Sequence, residues 1–180
     1  KTLLPVRIEQ LNAAGQLIEQ IAVKASYTAF STASGVPTGF STDPGQSDYV
    51  EWTRNTYDSA TGMFIHKDRY ANIPSSGYGT LSTDFYRTVT QLDGFNRKEY
   101  EIQVVSGSTA SDRKEQVTKY VYDALGRVLE TKRGVSGDSA ANSQNMTDSY
   151  NTYPTLVTIS KTEYDGGGVG DGYVTKTKKY

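Results

Sequence analysis

Short β-prone runs separated by polar turn formers dominate this chain, and apolar residues at helical spacing are nearly absent. Residues 50–57, 63–69, 85–92, 98–105, 116–122, 127–132, 156–164 and 173–179 are rich in Val, Ile, Thr, Tyr and Phe and read as strands. The best helical candidate is 6–24, where Leu11, Gly15, Ile18 and Ala22 fall loosely on one face. Gly15 interrupts it, and two strands flanking residues 12–15 account for the segment better. The pattern therefore predicts an all-β fold. Residues 31–47, 74–83, 106–111 and 134–153 hold too few apolar side chains and too many turn formers to stay in a ladder, and are expected as surface loops.

The turn formers repeat one grammar. Leu11-Asn12-Ala13-Ala14-Gly15-Gln16, Leu92-Asp93-Gly94-Phe95-Asn96-Arg97, Tyr122-Asp123-Ala124-Leu125-Gly126-Arg127 and Tyr164-Asp165-Gly166-Gly167-Gly168 share a frame. Tyr57-Asp58-Ser59-Ala60-Thr61-Gly62 fits it with one inserted residue. Asp or Asn at the start of a type I turn accepts hydrogen bonds from the amides that follow. The residue three further on must enter the left-handed region, which Gly, and after it Asn, occupies at least cost. Five antiparallel hairpins are predicted, anchored at Asn12, Asp58, Asp93, Asp123 and Asp165 and closed at Gly15, Gly62, Asn96, Gly126 and Gly168. The anchors lie 46, 35, 30 and 42 residues apart, so the repeat is irregular, with loops of variable length between hairpins. Residues 1–180 read as a single run of these units in one continuous twisted sheet.

The stretch from Lys119 to Glu130 carries Tyr120 and Tyr122 on one face of a β-prone arm, then Asp123, Gly126 and Arg127. It resembles the tyrosine-aspartate (YD) repeat of the RHS family, whose core reads Tyr-x-Tyr-Asp-x-x-Gly-Arg-Leu. Only this unit matches in full: the Asn12 unit lacks both the Tyr and the Asp, and the Asp165 unit lacks the Arg. The resemblance implies a non-enzymatic structural segment of a large secreted or cell-surface bacterial protein. Its hairpins would line up in a spiralling sheet that encloses or displays a cargo, as in bacterial polymorphic toxins and insecticidal toxin complexes; in animal teneurins a similar shell supports cell adhesion. The partners implied are flanking repeats or other copies of the same protein, with an encapsulated toxin segment or surface glycans beyond them. Nothing in the chain resembles the family's autoproteolytic core-associated segment. Two further readings stand beside this one: an adhesive module for glycans, and a self-associating extracellular fibre subunit, since a slice of sheet leaves two open edges.

Composition adds constraints. Phe, Ile, Leu and Val make up 35 of 180 residues, which raises the question of disorder, but 14 Tyr and a net charge of −1 argue for a folded chain. Tyrosine supplies large amphipathic area suited to a thin sheet. The balance of 19 basic and 20 acidic residues leaves no electrostatic footprint for nucleic acid or an anionic membrane. No apolar run is long enough for a transmembrane helix, and no signal-peptide pattern stands at the N-terminus. Without Cys there is no disulfide framework and no thiolate metal site. The chain begins at Lys1 without Met and ends on Tyr180 inside a strand-like pattern, and reads as a piece of a longer protein.

Candidate chemistry is sparse. His66 is the sole histidine and has no nucleophile signature near it, so it reads as an ordinary strand residue. Asp165, Gly166, Gly168, Gly170, Asp171 and Gly172 form an acidic glycine-rich loop that could offer oxygens to calcium through Asp165 and Asp171, but its spacing fits no calcium loop and a hairpin tip is the plainer reading. The turn aspartates have local work at their own turns rather than at a shared catalytic centre. Tyr49, Trp52, Tyr57, Tyr70, Tyr78 and Tyr86 have the makings of a sugar-stacking platform; the alternative is that these rings pack across strands. No cofactor is expected.

Overall fold

The computed structural model describes residues 6–27, 30–33, 36–40, 42–106, 114–136, 156–165 and 172–180. The fold is all-β. Its strands are β1 (Val6–Leu11), β2 (Leu17–Val23), β3 (Phe30–Ala33), β4 (Val36–Phe40), β5 (Tyr49–Tyr57), β6 (Phe64–Tyr70), β7 (Phe85–Leu92), β8 (Lys98–Ser106), β9 (Lys114–Tyr122), β10 (Val128–Ser136), β11 (Val157–Tyr164) and β12 (Val174–Lys179). Ten of them lie in one hydrogen-bonding order, β1-β2-β5-β6-β7-β8-β9-β10-β11-β12, while β3 and β4 pair apart. Two compact units divide the chain, Lys1–Arg87 and Thr88–Tyr180, with the boundary inside β7.

The loop expected at 31–47 is a correction. Residues Phe30–Ala33 and Val36–Phe40 form an antiparallel pair in which Phe30 stands opposite Phe40, and Gln46–Asp48 is a 3₁₀ turn. The β-branched and aromatic residues Phe30, Thr32, Val36, Thr38 and Phe40 outweigh the turn formers among them. Gly134–Ser136 likewise continues β10 instead of starting a loop.

Five hairpins share one register. The residue before each anchor faces the residue just past the turn: Leu11 faces Leu17, Tyr57 Phe64, Leu92 Lys98, Tyr122 Val128 and Tyr164 Val174. One step out, Gln10 faces Glu19, Thr56 His66, Gln91 Tyr100, Val121 Glu130 and Glu163 Lys176, so each second arm carries one bulged residue at the same place. Such a bulge flips the side-chain alternation of its arm once, near the turn, in every hairpin.

The turns explain the bulge. In three of them the anchor amide donates to the carbonyl of the residue that follows the Gly or Asn, and this residue is the one that closes the hydrogen-bonded loop: Asn12 to Gln16 at 2.9 Å, Asp93 to Arg97 at 2.8 Å and Asp123 to Arg127 at 3.0 Å. This is the three-residue loop in which a type I turn is followed by a left-handed residue. Those residues are Gly15 (φ 76°), Asn96 (φ 61°) and Gly126 (φ 81°). The inserted residue of the Asp58 turn moves the closing role to Met63, and Gly62 sits at φ 70°. The fifth turn departs from the expected 165–168. Asp165 donates to Tyr173 at 3.0 Å, and the positive φ values fall on Asp165 (58°) and Gly172 (86°). Gly166, Gly167, Gly168, Gly170 and Asp171 lie outside the described residues.

Each unit has its own core. In Thr88–Tyr180, alternate residues Tyr100, Ile102 and Val104 of β8 are buried, and Val89, Tyr100, Ile102 and Val117 form a cluster on which Leu156 packs. Burying one such aliphatic side chain stabilises by about 1.5–3 kcal/mol. In Lys1–Arg87 the buried residues include Ile21, Ala22, Val23, Trp52, Tyr70, Leu81 and Phe85. Three consecutive buried positions at the end of β2 mean that both faces are covered there.

Candidate functional site

The most specific side-chain geometry lies where one hairpin meets the next. Three such junctions lie inside the units: Asn12 to Asp58, Asp93 to Asp123, and Asp123 to Asp165. At each, the Tyr before the second anchor donates its hydroxyl to a carbonyl just past the first turn. Tyr57 donates to Leu17 at 3.2 Å, Tyr122 to Lys98 at 2.7 Å and Tyr164 to Val128 at 3.3 Å. These carbonyls belong to the first residue after each closing residue, at the same place in all three hairpins.

The closing residue returns the contact. Gln16 donates to the Gly62 carbonyl at 2.7 Å, Arg97 Nη1 to the Asp123 carbonyl at 3.2 Å and Arg127 Nη1 to Asp165 Oδ2 at 3.0 Å. Both guanidinium groups also lie over the neighbouring tyrosine, Arg97 at 4.5 Å from the Tyr122 ring centre and Arg127 at 4.3 Å from that of Tyr164. Each arginine simultaneously binds its own anchor through Nε at 2.7 Å, to Asp93 Oδ2 and Asp123 Oδ2 respectively. A planar fork of donors suits this bridging, and lysine could not reproduce it.

A further pairing recurs four residues before the second anchor. Arg54 Nε donates to Glu19 Oε1 at 3.1 Å, Lys119 Nζ to the Tyr100 hydroxyl at 2.7 Å, and Lys161 Nζ lies 3.7 Å from Glu130 Oε1. In register these residues stand directly opposite one another. The sequence reading missed this pairing, although a cation at a fixed distance before Asp58, Asp123 and Asp165 is a legible signal.

Anchor carboxylates are fully engaged at their turns. Oδ1 of Asp93 accepts from the amides of Phe95 and Arg97, and Oδ1 of Asp123 from those of Leu125 and Arg127, at 2.8 to 3.0 Å. Desolvation pushes both carboxyls up, but their hydrogen bonds from Arg97 and Arg127 outweigh it and hold them below the usual 3.8. The Thr61 hydroxyl and amide lower Asp58 in the same way. Asp165 accepts from Arg127 and from the Gly172 amide at 2.7 Å, while Asp171, its companion in the calcium candidate, lies outside the described residues. Among the described residues no cluster of three or more His, Cys, Asp or Glu could hold a metal.

The aromatic set divides. Trp52 is buried and stacks on Tyr70 with ring centres 4.1 Å apart, Tyr49 meets Trp52 edge-on at 5.7 Å, and Tyr57 is taken by its junction. Tyr78 and Tyr86 stay exposed, with Arg54 3.5 Å above the Tyr78 ring. An open groove of about 630 Å³ in the second unit is lined by Phe95, Arg97, Tyr100, Lys119, Tyr120 and Lys132 among others. Its Arg97 and Lys119 are already held by the junction contacts, and Lys132 lies 3.4 Å from Glu130.

His66 lies 3.7 Å from Asp68, and the Asp68 carboxylate is buried in a two-bond pair with Arg87 at 2.7 and 2.8 Å. Desolvation, with help from Arg87 and Arg54 and against Asp68, lowers His66 from 6.5 to about 4. No sequence pattern announced this triad, because its members sit on two strands separated by a long loop. Compared with known proteins, the chain matches no family model, no curated protein and no solved structure.

Proposed function

We propose that this chain is a non-enzymatic structural repeat segment of the RHS or YD-repeat kind, from a large secreted or cell-surface bacterial protein, whose sheet encloses or displays a cargo domain. The carrying observation is that Tyr122, Asp123 and Arg127, the residues that make the motif recognisable, are all occupied in joining hairpins: Tyr122 to the preceding one, Arg127 to the following one, and Asp123 in the turn between. A motif whose polar groups are held by one another builds a scaffold rather than presenting groups to a substrate.

Limited proteolysis of the whole parent protein tests this reading. Arg127→Ala with Tyr164→Phe weakens one junction, and a downstream segment resistant to cleavage in the parent should become sensitive in the double variant. Unchanged cleavage in a variant with measurably weaker sheet protection would sink the enclosing role. Saturable glycan binding lost in Tyr78→Ala, with melting unchanged, would replace the scaffold by the adhesive module.

A further inference from the structure

We propose that His66 and Arg54 work as an acid-sensitive latch on the loop at 71–84: a proton taken up by His66 expels Arg54 from beneath Tyr78 and lifts the loop from the stacked Trp52 and Tyr70, while the sheet stays paired. The device lies wholly within the Lys1–Arg87 unit and rests on neither the scaffold reading nor a cargo.

Four charges of alternating sign cross four strands in one row. Glu19 of β2 stands opposite Arg54 of β5, Arg54 opposite Asp68 of β6, and Asp68 accepts two bonds from Arg87 of β7. Two carboxylates and two guanidinium groups cancel. His66 lies beside this row, 3.7 Å from Asp68 and directly opposite the uncharged Thr56, with both guanidinium groups close enough to oppose its protonation. The charges that face it are therefore Asp68 on its own strand, Arg54 on β5 and Arg87 on β7, and Glu19 on β2 acts through Arg54. A proton on His66 adds a charge that the row does not compensate.

Arg54 is the member that can yield. Arg87 is fastened to Asp68 at 2.7 and 2.8 Å, and the Asp68 side chain is 2% exposed. Arg54 bonds Glu19 at 3.1 Å and the Tyr70 hydroxyl, but its long side chain already reaches solvent. The loop rests on this same guanidinium, which lies 3.5 Å from the Tyr78 ring centre, while the Tyr70 hydroxyl donates to the Tyr78 carbonyl at 2.8 Å. Tyr78 in turn lies 6.2 Å from buried Trp52. The base of the loop is tied separately, by the amides of Ala71 and Asn72 to the Asp84 carbonyl at 2.9 Å, so its crown can lift without releasing β6 or β7.

The direction follows from linkage. His66 is held at about 4 with the loop closed and returns toward 6.5 once the row is relieved, so the proton favours the lifted loop. The loop stays closed above about pH 6.5, and between there and about pH 4 the ratio of lifted to closed loop should rise up to about tenfold per pH unit.

Trp52 is the sole tryptophan and therefore reports on the loop. Acrylamide quenching of the 180-residue chain, followed from pH 8 to pH 4 beside far-ultraviolet circular dichroism, should rise as pH falls through the histidine window while the sheet signal holds. His66→Gln should give flat quenching over the same range. Tyr78→Ala, an exposed position, should raise quenching already at pH 8. Flat quenching in the parent chain, a rise that persists in His66→Gln, a rise that coincides with loss of the sheet signal, or unchanged quenching in Tyr78→Ala would each overturn the proposal. The readout involves no cargo, so it is decided independently of the proteolysis test above.

Discussion

The hydroxyl of Tyr122 donates to the Lys98 carbonyl at 2.7 Å, tying the arm that enters one turn to the arm that leaves the turn before it. The ladder hydrogen bonds between β8 and β9 do not by themselves fix register, since a slipped pairing could form a ladder as good. A tyrosine that reaches one particular carbonyl, while the preceding arginine reaches one particular turn, penalises every slipped pairing. The same relationship at Tyr57 with Leu17 and at Tyr164 with Val128 makes it a rule of assembly rather than a local accident.

Tyr122→Phe removes the bond and keeps the ring. A net loss of about 0.5–1.5 kcal/mol is expected, because the Lys98 carbonyl loses a partner while the stacking of Arg97 persists. Tyr164→Phe, whose bond is longer at 3.3 Å, should cost less. Thermal unfolding ranks the pair, and equal losses would show that the hydroxyl bond is not what matters at Tyr122.

Gly126 sits at φ 81°, and a side chain there would meet nothing closer than Arg97 Nη1 at 3.8 Å. Cost at this position is therefore conformational and not steric crowding. Gly126→Val should destabilise by about 1–3 kcal/mol, since a β-branched residue tolerates the left-handed region poorly. Gly126→Asn should cost distinctly less, since Asn96 holds the same turn position at φ 61°. Matching melting temperatures for the two variants would refute this account.

Turn chemistry was legible in the sequence because it is local: an Asp or Asn anchor and a Gly or Asn three residues later determine the backbone without reference to distant residues. Strand positions followed from the turns, and the eight runs read from the sequence fall within a few residues of β5 to β12. What the sequence hid depends on pairing. The antiparallel pairing of Phe30 with Phe40 and the hydrogen bond of Asp165 to Tyr173 instead of residue 168 lie in the pairing partner, not in the local pattern. The position of Tyr57, Tyr122 and Tyr164 before an anchor is visible in the sequence, but the carbonyl each one reaches follows only from the register. Asp68 and Arg87 could not be matched without knowing which strands adjoin.

The Asp68 and Arg87 pair is a strong structural liability if broken. Asp68 is only 1% exposed and accepts two bonds from one guanidinium. Arg87→Met leaves a buried carboxylate without its partner and should destabilise by about 3–5 kcal/mol, whereas replacing both residues with apolar ones of similar size should recover much of that loss. Chemical denaturation of the two single variants and the double variant measures the coupling. Additive losses would mean that the pair does not act as a unit.

Acid should weaken the fold in two separable stages. His66 is held at about 4 in the folded chain against 6.5 when free, so the unfolded state binds its proton first. A group depressed in this way leaves stability whole above about pH 6.5 and withdraws it as pH falls from there to about 4. Asp58, Asp93 and Asp123 are also depressed, but their ordinary value is 3.8, so their contribution is present above that point and is lost only as pH falls below it. Denaturation midpoints measured from pH 8 to pH 3 should therefore decline across the histidine window and then more steeply below about pH 4. His66→Gln, which removes the titrating group, should flatten the first stage and leave the second. A first stage that persists in that variant would assign the loss to other groups and show that His66 does not report on the buried Asp68 and Arg87 beside it.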